Sequence, residues 1–157
     1  MDLEIRPATA NDLDAIAALE AQCFPPSEAD SREMIAARSN LIAIVNARVV
    51  GYINAIPTSA ARLDDRFYSP KPPIEPNADG LALMSVGVDP NFRRRGIAAK
   101  LLSEMLRQSQ KKFAVLVCKR DKIEYYSRFG FQCVGISAVT LGNQQWHDMI
   151  LYTDWSE

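Results

Sequence analysis

The sequence predicts one mixed α/β domain, and three observations support this prediction. Its 157 residues are the usual length of a chain with a single core. Its composition, 48% hydrophobic and 24% charged, is ordinary for a globular protein. Apolar patterns of strand and helix type alternate in the order β-α-α-β-β-β-α-β-α-β-β. We therefore expect one domain over residues 1–157.

The first part of this order is a strand, two helices and a hairpin. Thr9 and Asp12 have the spacing of a capping box, with Asp in place of Glu, and an apolar helical face follows them. Pro25 and Pro26 end that helix. The remaining expectations are strands at 3–6, 41–45 and 49–56, a turn at 46–48, and a second helix that begins near 27–31.

Residues 57–79 form a long connection with five prolines and several charges. Connections of this length are uncommon in a compact domain unless they bind a ligand, cover a site or are disordered. Two interpretations stay open: a tolerated surface insertion, or a loop that walls a substrate site.

The most informative stretch is 80–99, where an apolar strand at 80–88 leads through a basic loop and Gly96 into a helix at 97–110. A strand that enters a helix through such a loop directs several unpaired backbone N–H groups at one point. These donors, the helix dipole and three arginines suit a phosphate or pyrophosphate. The stretch therefore predicts a phosphorylated cofactor.

The last part of the chain contains three strands and one short helix. Asp121 and Glu124 have capping-box spacing before that helix, and Gly130 stands where a glycine that ends a helix belongs. The run at 113–118 is continuously apolar, as in a strand buried on both faces. The expected final strands are 131–136 and 145–152, as antiparallel neighbours.

The chain resembles the GCN5-related N-acetyltransferases, the GNAT family. The loop Arg93–Ala98 is similar to the family's Q/R-x-x-G-x-G/A signature, and residues 125–131 are similar to its second signature, a tyrosine helix before a Phe-Gly-Phe strand entry. The resemblance covers nearly the whole chain. It implies a mixed, mostly antiparallel sheet with splayed central parallel strands and about four helices.

The resemblance also implies acetyl-CoA as co-substrate and assigns residues to it. The backbone of Val86 and Val88 would pair with the pantetheine arm, and amides from Arg94 to Ala99 would hold the pyrophosphate. Cys118 would lie near the thioester, and Tyr126 would protonate the leaving thiolate as general acid. The implied cofactor-binding residues are Val86, Gly87, Val88, Arg93, Arg94, Arg95, Gly96, Ile97, Ala98, Ala99, Cys118 and Tyr126.

A narrower resemblance is to the arylalkylamine N-acetyltransferases, the serotonin-acetylating branch. It rests on Cys23-Phe24-Pro25, the Pro-containing loop before Gly80, residues 115–118 and residues 146–149. Two histidines of that branch are replaced here by Ala82 and Met84. This departure removes the branch's proton-relay groups.

An acceptor amine must lose a proton before it attacks a thioester, so a base or an ordered water is expected. Glu28 is a candidate for binding or deprotonating the amine; the alternative is a solvated carboxylate at a helix start. His147, the only histidine, is a second candidate, or else a structural residue. Asp89 more simply forms a turn before Pro90. The candidate substrate residues are Phe24, Glu28, Met84, Ser85 and His147, and Phe67, Tyr68 and Trp146 are possible aromatic walls.

Composition limits the other possibilities. The net charge of −1 gives no general attraction to nucleic acid or anionic membranes, and no apolar run is long enough to span a bilayer. Three cysteines without motif spacing suggest reduced thiols in the cytoplasm, and no metal site is expected. We expect an N-acetyltransferase for a small primary amine, arylalkylamine or polyamine, acting as monomer or homodimer. Acetylation of a peptide or protein, and acyl-CoA binding without turnover, are the alternatives.

Overall fold

The computed structural model describes residues 2–153, which form seven strands and four α-helices. The order of these elements is the predicted one. The strands are β1 (Leu3–Pro7), β2 (Ser39–Val45), β3 (Arg48–Thr58), β4 (Gly80–Val88), β5 (Phe113–Cys118), β6 (Gln132–Ile136) and β7 (His147–Tyr152). The helices are α1 (Leu13–Cys23), α2 (Arg32–Ala36), α3 (Ile97–Ser109) and α4 (Ile123–Ser127).

The strands form one mixed sheet in the order β1-β2-β3-β4-β5-β7-β6. The pairs β1–β2, β2–β3, β5–β7 and β6–β7 are antiparallel, whereas β4 and β5 are parallel. The parallel ladder joins only three residue pairs, from Gly80 with Phe113 to Ala82 with Val115, and both strands continue beyond it. This arrangement confirms the predicted fold class.

The described residues pack into two compact units. The first contains residues 2–55 and 85–108, and the second contains residues 56–84 and 109–153. Each unit has its own apolar cluster. In the first unit, α1 and α2 pack on β2 and β3 through Ile16, Leu19, Ile35, Ile42 and Tyr52.

Most local motifs predicted for the first unit are present in the structure. The Asp12 carboxylate accepts the Thr9 N–H at 2.8 Å and opens a 3-10 turn that leads into α1. Asn46 and Ala47 both have positive φ, 51° and 62°, which is the two-residue turn that matches the twist of a β-hairpin. Ser31 caps α2 by accepting the Met34 N–H at 3.2 Å. The second helix therefore begins at Arg32, just after the predicted range.

In the second unit, the long connection at 57–79 is partly core. Leu63 and Phe67 are buried in a cluster with Met84, Val115 and Trp146. The segment is also tied down by polar contacts: the Asp148 carboxylate accepts the Arg62 Nε–H at 2.9 Å and the Leu63 N–H at 3.2 Å. A tolerated surface insertion would not bury two large side chains in the core, so that interpretation is wrong for this part.

Two expectations at the end of the chain need correction. Asp121 and Glu124 form no capping box, because a 3-10 turn begins at Arg120 and places Asp121 inside it. The last two strands begin at Gln132 and His147, one and two residues later than predicted. Gly130 does end the α4 region: its φ is 102°, and the Phe131 N–H reaches the Tyr126 carbonyl at 3.2 Å.

No helix within residues 2–153 is long and apolar enough to cross a membrane. In the same range, no group of three or more His, Cys, Asp and Glu side chains is arranged to hold a metal ion.

Candidate active site

The loop that follows β4 begins with a buried carboxylate. Asp89 accepts the Asn91 N–H at 2.9 Å and the Arg48 guanidinium at 2.7 Å, while its own N–H donates to the Val50 carbonyl at 2.8 Å. These bonds start the 3-10 turn Pro90–Phe92 and tie it to β3. The interpretation of Asp89 as a turn residue is confirmed.

Gly96 shapes the entry into α3. Its φ is 77°, a conformation that costs an L-residue about 1–2 kcal/mol, and a Cβ built on it meets no atom within 4 Å. The first helical hydrogen bond runs from the Lys100 N–H to the Gly96 carbonyl at 3.1 Å. The N–H groups of Ile97, Ala98 and Ala99 therefore precede the helical ladder and lie at the positive end of the helix dipole. This open cradle suits a diphosphate.

The three arginines of this loop differ in their surroundings, although all are exposed. The Arg93 Nε–H donates to the Val88 carbonyl at 3.3 Å, and the Cys23 thiol donates to the same carbonyl at 3.4 Å. Arg95 lies over the Phe92 ring at 5.0 Å. A carbonyl oxygen has two lone pairs, so these two donors take up the acceptor capacity of the Val88 carbonyl.

A buried polar cluster that the sequence analysis missed lies beside β4. The Glu20 carboxylate accepts hydrogen bonds from the Tyr52 hydroxyl, from the Ser85 hydroxyl at 2.6 Å and from the Asp30 N–H at 2.8 Å. Glu20 is only 2% exposed, whereas Ser85 is partly accessible. One feature of the sequence could have revealed Glu20: it follows Ile16 by four residues and therefore lies on the apolar face of α1.

Burial raises the pKa of Glu20 and the nearby charge of Asp30 raises it further, while the bonds from Ser85, Tyr52 and the Asp30 N–H act in the opposite direction. Burial and the Glu20 charge also raise the pKa of Tyr52 well above its usual value, so Tyr52 stays a phenol and a donor. The cluster continues inward, because Asp30 pairs with Arg38 at 2.7 Å and Arg38 donates to Asn54 at 3.2 Å.

In the second unit, Tyr126 lies on α4 among aromatic rings. Its ring meets Tyr125 edge-on at 5.1 Å and Phe131 at 6.0 Å. Burial, followed by the charges of Tyr125 and Cys118, raises the pKa of Tyr126. Within residues 2–153, its hydroxyl makes no hydrogen bond. A raised pKa keeps the phenol protonated at neutral pH but reduces its driving force as an acid.

Cys118 closes β5 and is buried. Burial, with smaller effects from Cys133 and Asp121, raises the pKa of its thiol to about 11. The nucleophile is the thiolate, so at neutral pH this cysteine is poorly suited to forming a covalent intermediate.

The candidate substrate residues are divided between the units. Met84 lies in the second unit's core with Phe67 and Trp146, and Tyr68 packs against that cluster. His147 is half-buried in β7, between Cys118 and Ile136 in register, and its Nδ1 makes no hydrogen bond within residues 2–153.

Phe24 and Glu28 belong to the first unit, with Ser85. Phe24 is half-buried just after α1, and its N–H donates to the Glu20 carbonyl at 3.0 Å. Glu28 is 5% exposed and its N–H closes a turn on Pro25 at 2.9 Å. The alternative of a solvated carboxylate at a helix start is therefore wrong, because Glu28 is buried and α2 begins four residues later.

Comparison with known proteins identifies one family and many solved structures with a similar fold. Residues 36–133 match the family model described as acetyltransferase (GNAT) domain. No curated protein matches the chain. One similar structure is the loading GNATL domain of CurA from Lyngbya majuscula, with TM-score 0.81, 16% identity, and 97% of this chain and 98% of that chain covered.

Two further structures carry other activities in their descriptions. The GphF GNAT-like decarboxylase in complex with isobutyryl-CoA has TM-score 0.76 and 18% identity, and 95% of this chain and 98% of that chain are covered. The ribosomal-protein-S18-alanine N-acetyltransferase from Escherichia coli has TM-score 0.72 and 17% identity, and 96% of this chain and 94% of that chain are covered. At these identities the likeness shows a shared fold.

Proposed function

Given that this chain belongs to the GNAT acetyltransferase family, we propose that it is a single N-acetyltransferase domain over residues 1–157 that moves an acetyl group from acetyl-CoA to a small primary amine. The family makes it an acyl-CoA-dependent acyltransferase. The observation that carries the proposal is the cradle at Gly96, with its positive φ, its open space and the first-turn amides of α3.

The cofactor side of the proposal follows from that cradle. The N–H groups of residues 94–99 bind the pyrophosphate, and Arg93, Arg94 and Arg95 attract it. The backbone of residues 86–88 aligns the pantetheine arm as an added strand. A side chain at Gly87 would collide with the Tyr52 ring at 2.7 Å, so packing against β3 requires this glycine.

For the chemical step, Tyr126 supplies the proton or hydrogen bond that the leaving thiolate needs. Its hydroxyl has no hydrogen-bond partner within residues 2–153 and its raised pKa keeps it a phenol. The amine attacks the thioester carbon directly, since the raised pKa of Cys118 argues against an acyl-cysteine.

The acceptor in this proposal is an arylalkylamine, the substrate class of the arylalkylamine branch, or a polyamine. Phe67 and Trp146 are buried in the core and Tyr68 packs against them, so this choice of amine rests on the resemblance to that branch. We further propose a cytoplasmic protein, in line with three free cysteines, that acts as monomer or homodimer without nucleic acid.

Peptide or protein acetylation is the second candidate function. Two similar structures favour it: one is described as a ribosomal-protein-S18-alanine N-acetyltransferase, and the other as Arabidopsis thaliana Naa50 in complex with the bisubstrate analogue CoA-Ac-MVNAL. Acyl-CoA binding without turnover is a third candidate, favoured only by the two histidines that Ala82 and Met84 replace.

The test is release of free CoA thiol from acetyl-CoA with a panel of aryl- and alkylamines, polyamines and short peptides. We expect Tyr126→Phe to lower kcat about 100-fold, most at neutral pH, because the thiolate loses its donor. Tyr125→Phe is the matched control, since it removes a neighbouring exposed phenol, and it should leave kcat unchanged.

The outcomes separate the three functions. Faster turnover of peptides than of free amines would replace the small amine by a peptide. Tight acetyl-CoA binding by calorimetry with no thiol release would leave only the binding module. Equal kcat for the wild type and Tyr126→Phe would remove Tyr126 from the mechanism.

A further inference from the structure

The proposed reaction lacks a proton acceptor. An alkylamine with a pKa of about 10.4 is neutral in only roughly one molecule in 2,500 at pH 7, so removing its proton is worth about 4.6 kcal/mol. We propose that Ser85 takes this proton from the bound ammonium while passing its own hydroxyl proton to Glu20. This inference rests on the proposed function, and it names the base that the reaction needs.

The geometry supports a two-step relay within the first unit. The Ser85 hydroxyl donates to Glu20 Oε1 at 2.6 Å, a distance typical of a strong O–H···O⁻ bond. Ser85 is the partly accessible member, on β4 next to Val86, whereas Glu20 and Tyr52 are buried. Of these three side chains, Ser85 is therefore the one that offers accessible surface to an amine.

Glu20 differs from the other buried acids around it in the kind of partner it has. Asp30 pairs with Arg38, and Asp89 pairs with Arg48. Within residues 2–153, Glu20 forms no ion pair, and its partners are two hydroxyls and one backbone N–H. A carboxylate held only by neutral donors changes its protonation at smaller cost than one in an ion pair.

The groups that face the Glu20 carboxylate come from four elements. Tyr52 of β3 and Ser85 of β4 donate to it, Asp30 from the α1–α2 loop adds a negative charge backed by Arg38, and Cys23 lies near Tyr52 at the end of α1. Tyr52 retains its proton, so the transferred proton rests on Glu20.

The step balances as a proton transfer followed by acyl transfer. The ammonium N–H bond breaks as the Ser85 oxygen takes that proton, and the Ser85 O–H bond breaks as Glu20 takes the other. The neutral amine then forms the C–N bond and the C–S bond breaks. Tyr126 gives its phenol proton to the departing thiolate, and the extra proton on the new amide nitrogen passes through solvent to restore the phenol. Glu20 then releases its proton to water.

The test uses Glu20→Gln in the full-length chain, with Glu33→Gln, an exposed acid on α2, as the matched control. Two acceptors are compared: an alkylamine, which is protonated at pH 7, and trifluoroethylamine, which is largely neutral there. We expect kcat/KM of Glu20→Gln for the alkylamine to fall about 100-fold and to recover as pH rises, and kcat/KM for trifluoroethylamine to stay close to that of the wild type.

A second variant and a second measurement distinguish loss of the relay from misfolding of the variant. Ser85→Ala should show the same dependence on the acceptor, and Glu20→Gln with Ser85→Ala should lose no more than either alone. The carboxyl ¹³C NMR signal of the Glu20 side chain is assigned by its absence from the spectrum of Glu20→Gln. In the free protein, this signal should titrate above the usual pH range of a glutamate.

The failures are distinguishable. No thiol release by the wild type with any acceptor would overturn the proposed function and the relay together. If the wild type is active, any of three results would overturn the relay alone. These are an equal loss for both acceptors in Glu20→Gln, an unshifted pH profile of that variant, and an ordinary titration of Glu20.

Discussion

At the residue scale, the first unit contains acids whose burial must be compensated. Asp30 and Arg38 form an ion pair at 2.7 Å in which both side chains are almost inaccessible. Burial raises the pKa of Asp30, and the Arg38 charge and hydrogen bond only partly offset this. Removing one member of such a pair leaves the other charge buried without a partner or water. This costs more free energy than the intact pair contributes.

We therefore expect Arg38→Ala to lower the free energy of unfolding by about 3–5 kcal/mol, measured by urea denaturation. The matched control is Arg128→Ala, which breaks an exposed ion pair with Glu124 on α4 and should cost about 0.5 kcal/mol or less. Similar losses for the two variants would mean that burial does not set the value of the inner pair.

Glu20 also gives a stability prediction whose sign follows from its pKa. Because its folded-state pKa is raised, the folded chain binds this proton more tightly than the unfolded chain. The contribution of Glu20 to stability is then present below the unfolded pKa of about 4.5 and is lost as pH rises through the folded pKa. Urea denaturation should show Glu20→Gln gaining stability relative to the wild type over that window. A constant difference would contradict the raised pKa.

At the element scale, the entry into α3 combines a glycine that needs positive φ with amides that need an acceptor. We expect Gly96→Ala to cost about 1–2 kcal/mol of stability and to weaken acetyl-CoA binding at least tenfold, because the main chain must leave the shape that directs the amides. Calorimetry measures the affinity.

Gly142→Ala provides the matched control for this change. Gly142 also has a positive φ, 65°, but lies in the 3-10 turn before β7. It should show a similar loss of stability and unchanged acetyl-CoA affinity. An equal drop in affinity for both variants would mean that Gly96 acts through general stability alone.

The long segment at 57–79 shows how an element without regular pattern can still be structural. Phe67 is 2% exposed and a short 3-10 turn, Asp65–Phe67, presents it to the core. The Asp65 carboxylate accepts the Thr140 N–H at 2.8 Å and the Thr140 hydroxyl at 2.7 Å. Whether the segment also walls a substrate site stays a prediction.

At the scale of the whole molecule, electrostatics must act locally because the net charge is only −1. We expect acetyl-CoA at about 100 times its Kd to stabilise the fold by about 2.7 kcal/mol and to raise Tm by roughly 5–10 °C. Added salt should reduce this shift, because arginine–phosphate attraction is screened. Thermal denaturation with pantetheine, which lacks the diphosphate, is the control and should show almost no dependence on salt.

A large Tm shift with pantetheine, or a shift with acetyl-CoA that does not change with salt, would contradict a diphosphate site at Gly96. In that case the affinity would come from the thioester end of the ligand.

The amino-acid pattern alone is enough to predict the order of the elements, most of their bounds and the loop at Gly96. Each of these depends on neighbours a few residues apart: strand and helix periodicity, the Thr9–Asp12 cap, and a glycine before a helix. The misplaced Asp121–Glu124 cap shows the limit of such signals, because Asp121 lies inside a 3-10 turn and Glu124 lies in the helix that follows it.

Only the tertiary structure decided what is buried and which distant groups meet. Glu20 lies 65 residues before Ser85 and 32 before Tyr52, and the folded sheet brings them together. It likewise buried Phe67, expected in the long connection, and Glu28, for which the alternative was a solvated carboxylate at a helix start. Burial and long-range hydrogen bonds determine a pKa; helical spacing hinted at the burial of Glu20, but the hydrogen bonds join residues that are far apart in the chain and leave no local pattern.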